Sequence, residues 1–307
     1  MPKREFVVSA GSGPGQRLDV YLAERLEGLT RSRIRKLIDE GKVMVNAASK
    51  KAGHKLREND LVEAEVGEEP SPELHPQEAP LTVLYSDDQI VVIDKPCGLV
   101  VHPGAGNREG TLAAALLYRF PEISGLGPAE RPGIVHRLDK ETSGVMVVAR
   151  SPEAYASLQK QFKDRDVRKV YLGLAWGKMP PEGRIDRPIG RHIKHGQRMS
   201  VRTRKPRPAE TFYKVREEFQ GMSLLEIRPV TGRTHQIRVH LAAAGHPLAG
   251  DSRYGRRKEE SKFPRLFLHA HRLSFFHPGT GERVEFTSEL PSGLANILEK
   301  LKMVSSR

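Results

Sequence analysis

The stretch Arg131-Pro132-Gly133-Ile134-Val135-His136-Arg137-Leu138-Asp139-Lys140-Glu141-Thr142-Ser143-Gly144 governs how the rest of the sequence is read. Six of its residues ionise: Arg131, His136, Arg137, Asp139, Lys140 and Glu141. It runs directly into Val145–Ala149, an apolar run that spells a buried strand. A buried strand fixes the polar groups just ahead of it, which is one way sites are built. A salt-bridged turn, with Arg137 and Asp139 neutralising each other, has the same composition.

Two downstream segments favour a site. Residues 168–177 alternate, with Val170, Leu172, Leu174 and Trp176 on one face and Lys169, Tyr171, Gly173 and Ala175 on the other. Tyr171 thus faces away from the apolar side and is available to a cleft. In Thr231-Gly232-Arg233-Thr234-His235-Gln236-Ile237-Arg238-Val239-His240, the residues Ile237, His240, Leu241 and Ala244 have helical spacing. Thr234 is the expected N-cap and Gly245 the stop. Free N–H groups and Arg233 would meet at that end, in a corner suited to a phosphate or to a catalytic carboxylate.

Upstream, Val83–Tyr85 and Ile90–Ile93 read as strands around Asp87-Asp88. Thr111 can cap a helix through Tyr118, and Ser151-Pro152-Glu153 is a helix start. Strands and helices arrive irregularly, which favours an α+β fold with a largely antiparallel sheet.

The chain has 307 residues, with 51 Lys/Arg against 38 Asp/Glu, a net +13. That length suits two compact units, and the charge suggests a polyanionic partner, nucleic acid first. The longest apolar run, Leu112 to Tyr118, is far short of a membrane span. Met1-Pro2-Lys3-Arg4-Glu5 lacks an apolar stretch, so a cytoplasmic location is expected. The lone Cys97 excludes a disulfide framework and a thiolate zinc site. His235, His240 and His246 lack ligand-like spacing, so no metal is expected, and they read as structural or as facing the polyanionic partner.

Charge is uneven along the chain. Residues 1–57 carry +7, residues 58–80 carry −8 and residues 81–307 carry +14. Pro70, Pro72, Pro76 and Pro80 stand among Glu68, Glu69, Glu73 and Glu78, so residues 68–80 read as a linker between units at 1–67 and 81–307. In the first unit Leu18, Tyr21, Leu22 and Leu26 mark one helix, and Ile34, Leu37 and Ile38 mark a second that Gly41 can stop. Arg31, Arg33, Arg35 and Lys36 occupy the rest of the second helix, a face that suits a phosphate backbone. Val43 and Val45, then Val62, Ala64 and Val66, form two strands. This segment, about residues 15–67, resembles the S4 RNA-binding module. A second basic run, residues 187–207, holds Arg187, Arg191, Lys194, Arg198, Arg202, Arg204, Lys205 and Arg207 with no acid. It reads as a loop or hairpin beside the cleft that clamps RNA.

His136-Arg137-Leu138-Asp139-Lys140-Glu141-Thr142-Ser143-Gly144 resembles the catalytic signature of the RluA-type pseudouridine synthases. The resemblance extends through Lys95–Pro103, Lys169–Leu172, Thr231–Arg238, Gly245–Asp251 and Leu268–Ala270. The S4-like module and Val101–Asn107 place it nearest the D-type branch, which acts on large-subunit ribosomal RNA. The resemblance implies a mixed, mainly antiparallel sheet with flanking helices and a central cleft. It also implies isomerisation of uridine in structured RNA, 23S rRNA of the pre-ribosomal large subunit above all, without metal or organic cofactor.

Carried over by motif, Asp139 is the essential carboxylate, which could attack sugar or base or abstract a proton. Tyr171 stacks on the uracil and assists a late proton transfer. Arg233 pairs with Asp139 and orients it, with Arg238 the competitor and otherwise an RNA contact. Arg137 reaches into the RNA as the nucleotide swings out, while Glu141 and Cys97 have no catalytic part. A monomer is the default. The other readings are a non-catalytic S4-containing ribosome-assembly factor, a tRNA-directed synthase and a base-excising glycosylase.

Overall fold

The computed structural model describes residues 3–11, 13–26, 29, 31–66, 74–104, 109–193, 198–255 and 263–305. Two compact units divide the chain, Met1–Pro72 and Glu73–Arg307. In the first, β1 (Lys3–Val7), α1 (Leu18–Arg25), α2 (Arg31–Asp39), β2 (Val43–Val45), β3 (Ala48–Ser49) and β4 (Leu61–Glu65) follow in order. The sheet runs β1-β4-β2-β3. Leu18, Leu22, Ile34 and Leu37 from the two helices pack on Val43, Val45, Val62 and Ala64. Asn46 and Ala47, both at positive φ, make the tight turn between β2 and β3. The strand β1 is an addition to the sequence reading. Its residues are mostly exposed, and its pairing comes from the open edge of β4.

Asp19 is fully buried and accepts hydrogen bonds from Arg17 at 3.0 Å, Arg31 at 3.2 Å and Arg35 at 2.9 Å. Burial pushes its pKa up, but the bonds from Arg17 and Arg35 prevail and hold it near about 2.

The second unit contains β5 (Thr82–Ser86), β6 (Ile90–Lys95), α3 (Leu112–Arg119), β7 (Ser143–Ala149), α4 (Pro152–Asp164), β8 (Arg168–Trp176), β9 (Glu182–Asp186), β10 (Gly190–Arg191), β11 (Met199–Ser200), β12 (Glu210–Phe219), β13 (Met222–Pro229), α5 (Gln236–Ala243), β14 (Leu268–Phe276), β15 (Arg283–Thr287) and α6 (Ser292–Ser305). Among the described residues nine of these strands form one sheet, in the order β5-β6-β7-β14-β8-β13-β12-β9 with β15 on β14. The pairing of β14 with β7 is parallel and the rest are antiparallel. The caps expected of α3 and α4 are present, since Thr111 accepts from Ala114 N–H and Ser151 from Ala154 N–H. Leu112 and Leu116 of α3 and Leu158 of α4 cover Ile90–Ile93 and Val145–Val148.

Residues 67–73, the first half of the expected linker with its boundary residue, lie outside the described residues. From Leu74 onward the chain lies on the second unit. Leu74 packs on its core, and Gln77 exchanges hydrogen bonds with Ala114 O and Gly110 N–H. One leucine and one amide are enough to dock a stretch whose prolines and acids suggest free chain.

Two strands converge on Ala270. Gly144 pairs with it in the parallel β7–β14 ladder and Tyr171 in the antiparallel β8–β14 ladder. Gly144 has φ +120°, and a Cβ there would overlap the Ala270 carbonyl. We expect Gly144→Ala to cost more than about 4 kcal/mol in chemical denaturation of the second unit, through a combined clash and backbone strain. Gly281→Ala, at positive φ but in open space, should cost only about 1 kcal/mol. In the first unit the Asp19 contribution should be complete above about pH 4, the ordinary carboxylate pKa, and fade as the pH falls towards 2. Hydrogen exchange of α1 and α2 across that range would read the loss.

Candidate active site

The loop that ends in β7 is held from behind. Lys95 Nζ is fully buried and donates to the carbonyls of Pro96 at 2.8 Å, Leu99 at 2.9 Å and Lys140 at 3.4 Å. Burial draws its pKa down to about 8. Gly98 N–H also donates to Lys140 O, and Cys97 Sγ to Glu141 O at 3.2 Å. Thr142 N–H closes a turn on Asp139 O. His136 accepts from Val147 N–H at 3.1 Å and stacks on Phe162 at 4.6 Å. Burial, with Lys169 nearby, pushes its pKa down to about 3, so it is neutral.

Asp139, 18% exposed, projects into a cleft of about 490 Å3. Arg238 Nη1 lies 3.9 Å from one carboxylate oxygen and His235 Nε2 lies 4.0 Å from the other. Arg238 is 2% exposed and grips Asp251 with two hydrogen bonds, 2.8 and 2.7 Å, and Glu141 at 2.8 Å. Burial opposes its charge, but Asp251, Glu141 and Asp139 together raise its pKa. Asp251 is held below the usual carboxylate range, because the Arg238 bonds outweigh its burial. It also accepts from the backbone N–H groups of Arg253 and Tyr254. The Tyr254 hydroxyl lies 2.8 Å from His235 Nδ1 and accepts from Met199 N–H at 3.0 Å.

This geometry corrects the reading of the arginines. Arg238, not Arg233, is the guanidinium beside Asp139, and its burial removes it from the RNA-facing set. Arg233 lines the cleft and donates to Pro208 O at 3.1 Å. The cause is the start of α5. Thr234 is not the cap, since the helix begins at Gln236 and its N-cap is His235 in a left-handed conformation. No side chain caps the helix, and the Gln236 side chain instead braces the turn ahead of it. It accepts from Arg233 N–H and Thr231 Oγ1, and donates to Glu210 O and Thr211 Oγ1. His235 and Arg238 therefore stand three residues apart on one face, while Arg233 falls before the helix.

Tyr171 lines the same cleft, and its pKa is raised by burial and by the charge of Asp139, so it keeps its proton. Arg131, Arg137, Lys163, Arg165, Lys169 and Arg233 make the lining strongly cationic around Asp139. Arg137 is exposed, with Nη1 3.4 Å from His102 Nε2.

In the basic run, β10 and β11 pair as a short hairpin. Arg191, Arg198, Arg202, Arg204 and Lys205 are exposed on it and on the chain that follows. Lys194 lies outside the described residues. On α2, Arg31 and Arg35 are half-exposed while bound to Asp19, Lys36 is 3.6 Å from Glu40, and Arg33 is partly buried. Among the described residues no group of His, Cys, Asp and Glu is placed to hold a metal ion. None of their helices is long and apolar enough to cross a membrane.

Residues 89–243 match the family described as RNA pseudouridylate synthase, and residues 16–62 match the S4 domain. Over 296 residues the chain is 42% identical to ribosomal large subunit pseudouridine synthase D of Nitrosomonas europaea, covering 94% of this chain and 85% of that protein. The protein of the same name from Xanthomonas campestris is 41% identical over 308 residues, with 96% and 92% covered. Among solved structures, human RNA pseudouridylate synthase domain containing 1 aligns with a TM-score of 0.58 at 30% identity, covering 77% of this chain and 98% of that one. The chain therefore belongs to the RNA pseudouridylate synthase family, a class of isomerases, and carries an S4 domain at its N-terminal side. Both the resemblance and the α+β fold read from the sequence hold.

Arg238→Gln would leave buried Asp251, and beside it Glu141 and Asp139, without their shared cation. Its expected cost is about 3–5 kcal/mol of stability, read by denaturation. Arg233→Gln breaks one exposed bond and should cost less than about 1 kcal/mol.

Proposed function

We propose that the protein isomerises specific uridines of structured RNA to pseudouridine, acting on 23S rRNA in the cytoplasm with Asp139 as the reacting carboxylate and with no cofactor. The observation that carries this reading is Asp139, the one carboxylate among the described residues that line the cleft. Asp139 stands between a buried guanidinium and a protonated tyrosine, in a lining otherwise rich in cations. The substrate comes from the names of the relatives, which are large-subunit enzymes.

The reaction is internally balanced. The bond from uracil N1 to C1′ breaks, the base turns over, C5 bonds to C1′, the C5 proton leaves and N1 gains one. Asp139 serves by attack on carbon or by proton abstraction. Arg238 fixes the direction of its carboxylate, and the Tyr171 ring offers a face for stacking while its hydroxyl carries a proton. Extruding the nucleotide costs a few kcal/mol. Arg137 at the mouth, with the exposed arginines of the β10–β11 hairpin and of α2, offsets it through phosphate contacts. Arg233 sits at the rim as a further RNA contact.

Asp139→Asn should abolish tritium release from 5-labelled uridine in RNA and retain RNA binding; product equal to wild type would reject Asp139. Release with neither free uracil nor strand scission separates isomerisation from base excision. Pseudouridine mapping of all stable RNAs in a strain lacking the protein should show sites lost from 23S rRNA and restored on complementation. Loss from tRNA alone would overturn the substrate, and no loss anywhere would favour an assembly factor.

A further inference from the structure

Lys169 lies two residues before Tyr171 on β8, so both side chains face the cleft. Among the described residues its ammonium has neither a hydrogen bond nor an ion pair. The groups around it are of the wrong kind to supply one. Arg165 and Lys163, at the end of α4, are cations lining the same wall. His136 is neutral, and with Nε2 accepting from Val147 N–H its remaining nitrogen carries the proton. Tyr171 keeps its proton, and Asp139 is engaged by Arg238 and His235. Asp164, the nearest acid in sequence on α4, is bound to Lys160 at 2.8 Å.

A partly buried ammonium without a protein acceptor, lining a cleft among other cations, is unfavourable, and proteins retain such a group where a ligand supplies the missing charge. Burial and the charge of Arg165 draw its pKa down to about 8, so it is still mostly cationic at neutral pH. Arg165 adds a second feature. It caps α4 in the left-handed conformation at φ +68°, which sets an exposed guanidinium beside the same wall.

We propose that Lys169, assisted by Arg165, is an anion site that takes a backbone phosphate of the RNA next to the nucleotide received by Tyr171. Two residues along a strand span about 7 Å, comparable with the reach from a base to its own backbone phosphate. The site therefore holds the extruded nucleotide by its phosphodiester while Tyr171 holds the base. It rests on the RNA-modifying reading above, and it gives the base-extrusion step a specific ligand in the cleft beside Tyr171.

The test uses the full chain, an unmodified 23S rRNA transcript and the variants Lys169→Met, Lys169→Arg and Arg165→Asn. Asparagine suits the left-handed position, so the last variant keeps the test alive should Lys169→Met fold poorly. Lys169→Met is expected to weaken binding roughly 10-fold at moderate salt and to reduce the slope of log affinity against log salt by about 0.7–0.9, one phosphate contact. Its Tm should be equal to or above wild type, since an unpaired, partly buried charge is replaced by an apolar chain of similar length. Lys169→Arg should keep the slope, and Arg165→Asn should lose part of it.

Unchanged affinity and slope in both Lys169→Met and Arg165→Asn would overturn the proposal. So would intact binding by Lys169→Met with a lost single-turnover rate at saturating RNA, which would make Lys169 a proton carrier. A wild type that binds this transcript but forms no pseudouridine in it overturns the substrate reading. The phosphate contact is then still decided by the salt slopes.

Discussion

The guanidinium of Arg238 is the interaction on which the site depends. It is nearly inaccessible to water, and three carboxylates face it: Asp251 through two hydrogen bonds, Glu141 through one, and Asp139 at 3.9 Å. Three carboxylates this close would repel one another and drive the loops apart without a shared cation. Arginine meets the need because its planar fork can serve several acceptors at once and does not lose its proton on burial. The arrangement joins α5 and the turn after Asp251, 13 residues on from Arg238, to the loop before β7, which is far upstream in sequence. Asp139 is thus the loosest member of a group whose other members are fixed.

The second constraint is geometric. Ala270 is the register partner of both Gly144 and Tyr171. That places the Asp139 loop and the tyrosine on neighbouring strands on either side of β14. Close approach at Gly144 makes it possible, since any side chain there would meet the Ala270 carbonyl. The glycine that closes the motif is therefore a packing requirement, and the acidic residue five positions earlier inherits its position from it.

Much of this was legible in the chain. The burial of Val145–Ala149, the caps Thr111 and Ser151 and the alternation that turns Tyr171 into the cleft all follow from local rules that tertiary structure did not override. Arg233 failed for a physical reason. Threonine before an apolar helix is a strong capping signal, but the Gln236 side chain ties down the turn ahead of the helix, and the N-cap falls one residue later, on His235. Spacing from a helix starting at Gln236 would have selected His235 and Arg238 together. Tyr254 left no such trace and Asp251 was quoted only within a motif, because their roles arise only when the turn that follows α5 folds back against it. Glu141, read as structural, does hold Arg238. Lys95, quoted only within a motif, gave no sign in composition that its ammonium collects three carbonyls.

The Tyr254 hydroxyl has one hydrogen and two neighbours. Met199 N–H already donates to its oxygen, and His235 Nδ1 is the acceptor within reach of its proton. A neutral imidazole that accepts at Nδ1 carries its own hydrogen on Nε2, the nitrogen that faces Asp139. Both neighbours of the carboxylate, Arg238 and His235, therefore present N–H bonds to it, and Tyr171 keeps its hydrogen. The corner is a set of donors around one acceptor. Through Tyr254 and His235, the hairpin that supplies Met199 N–H thus reaches the hydrogen that faces Asp139.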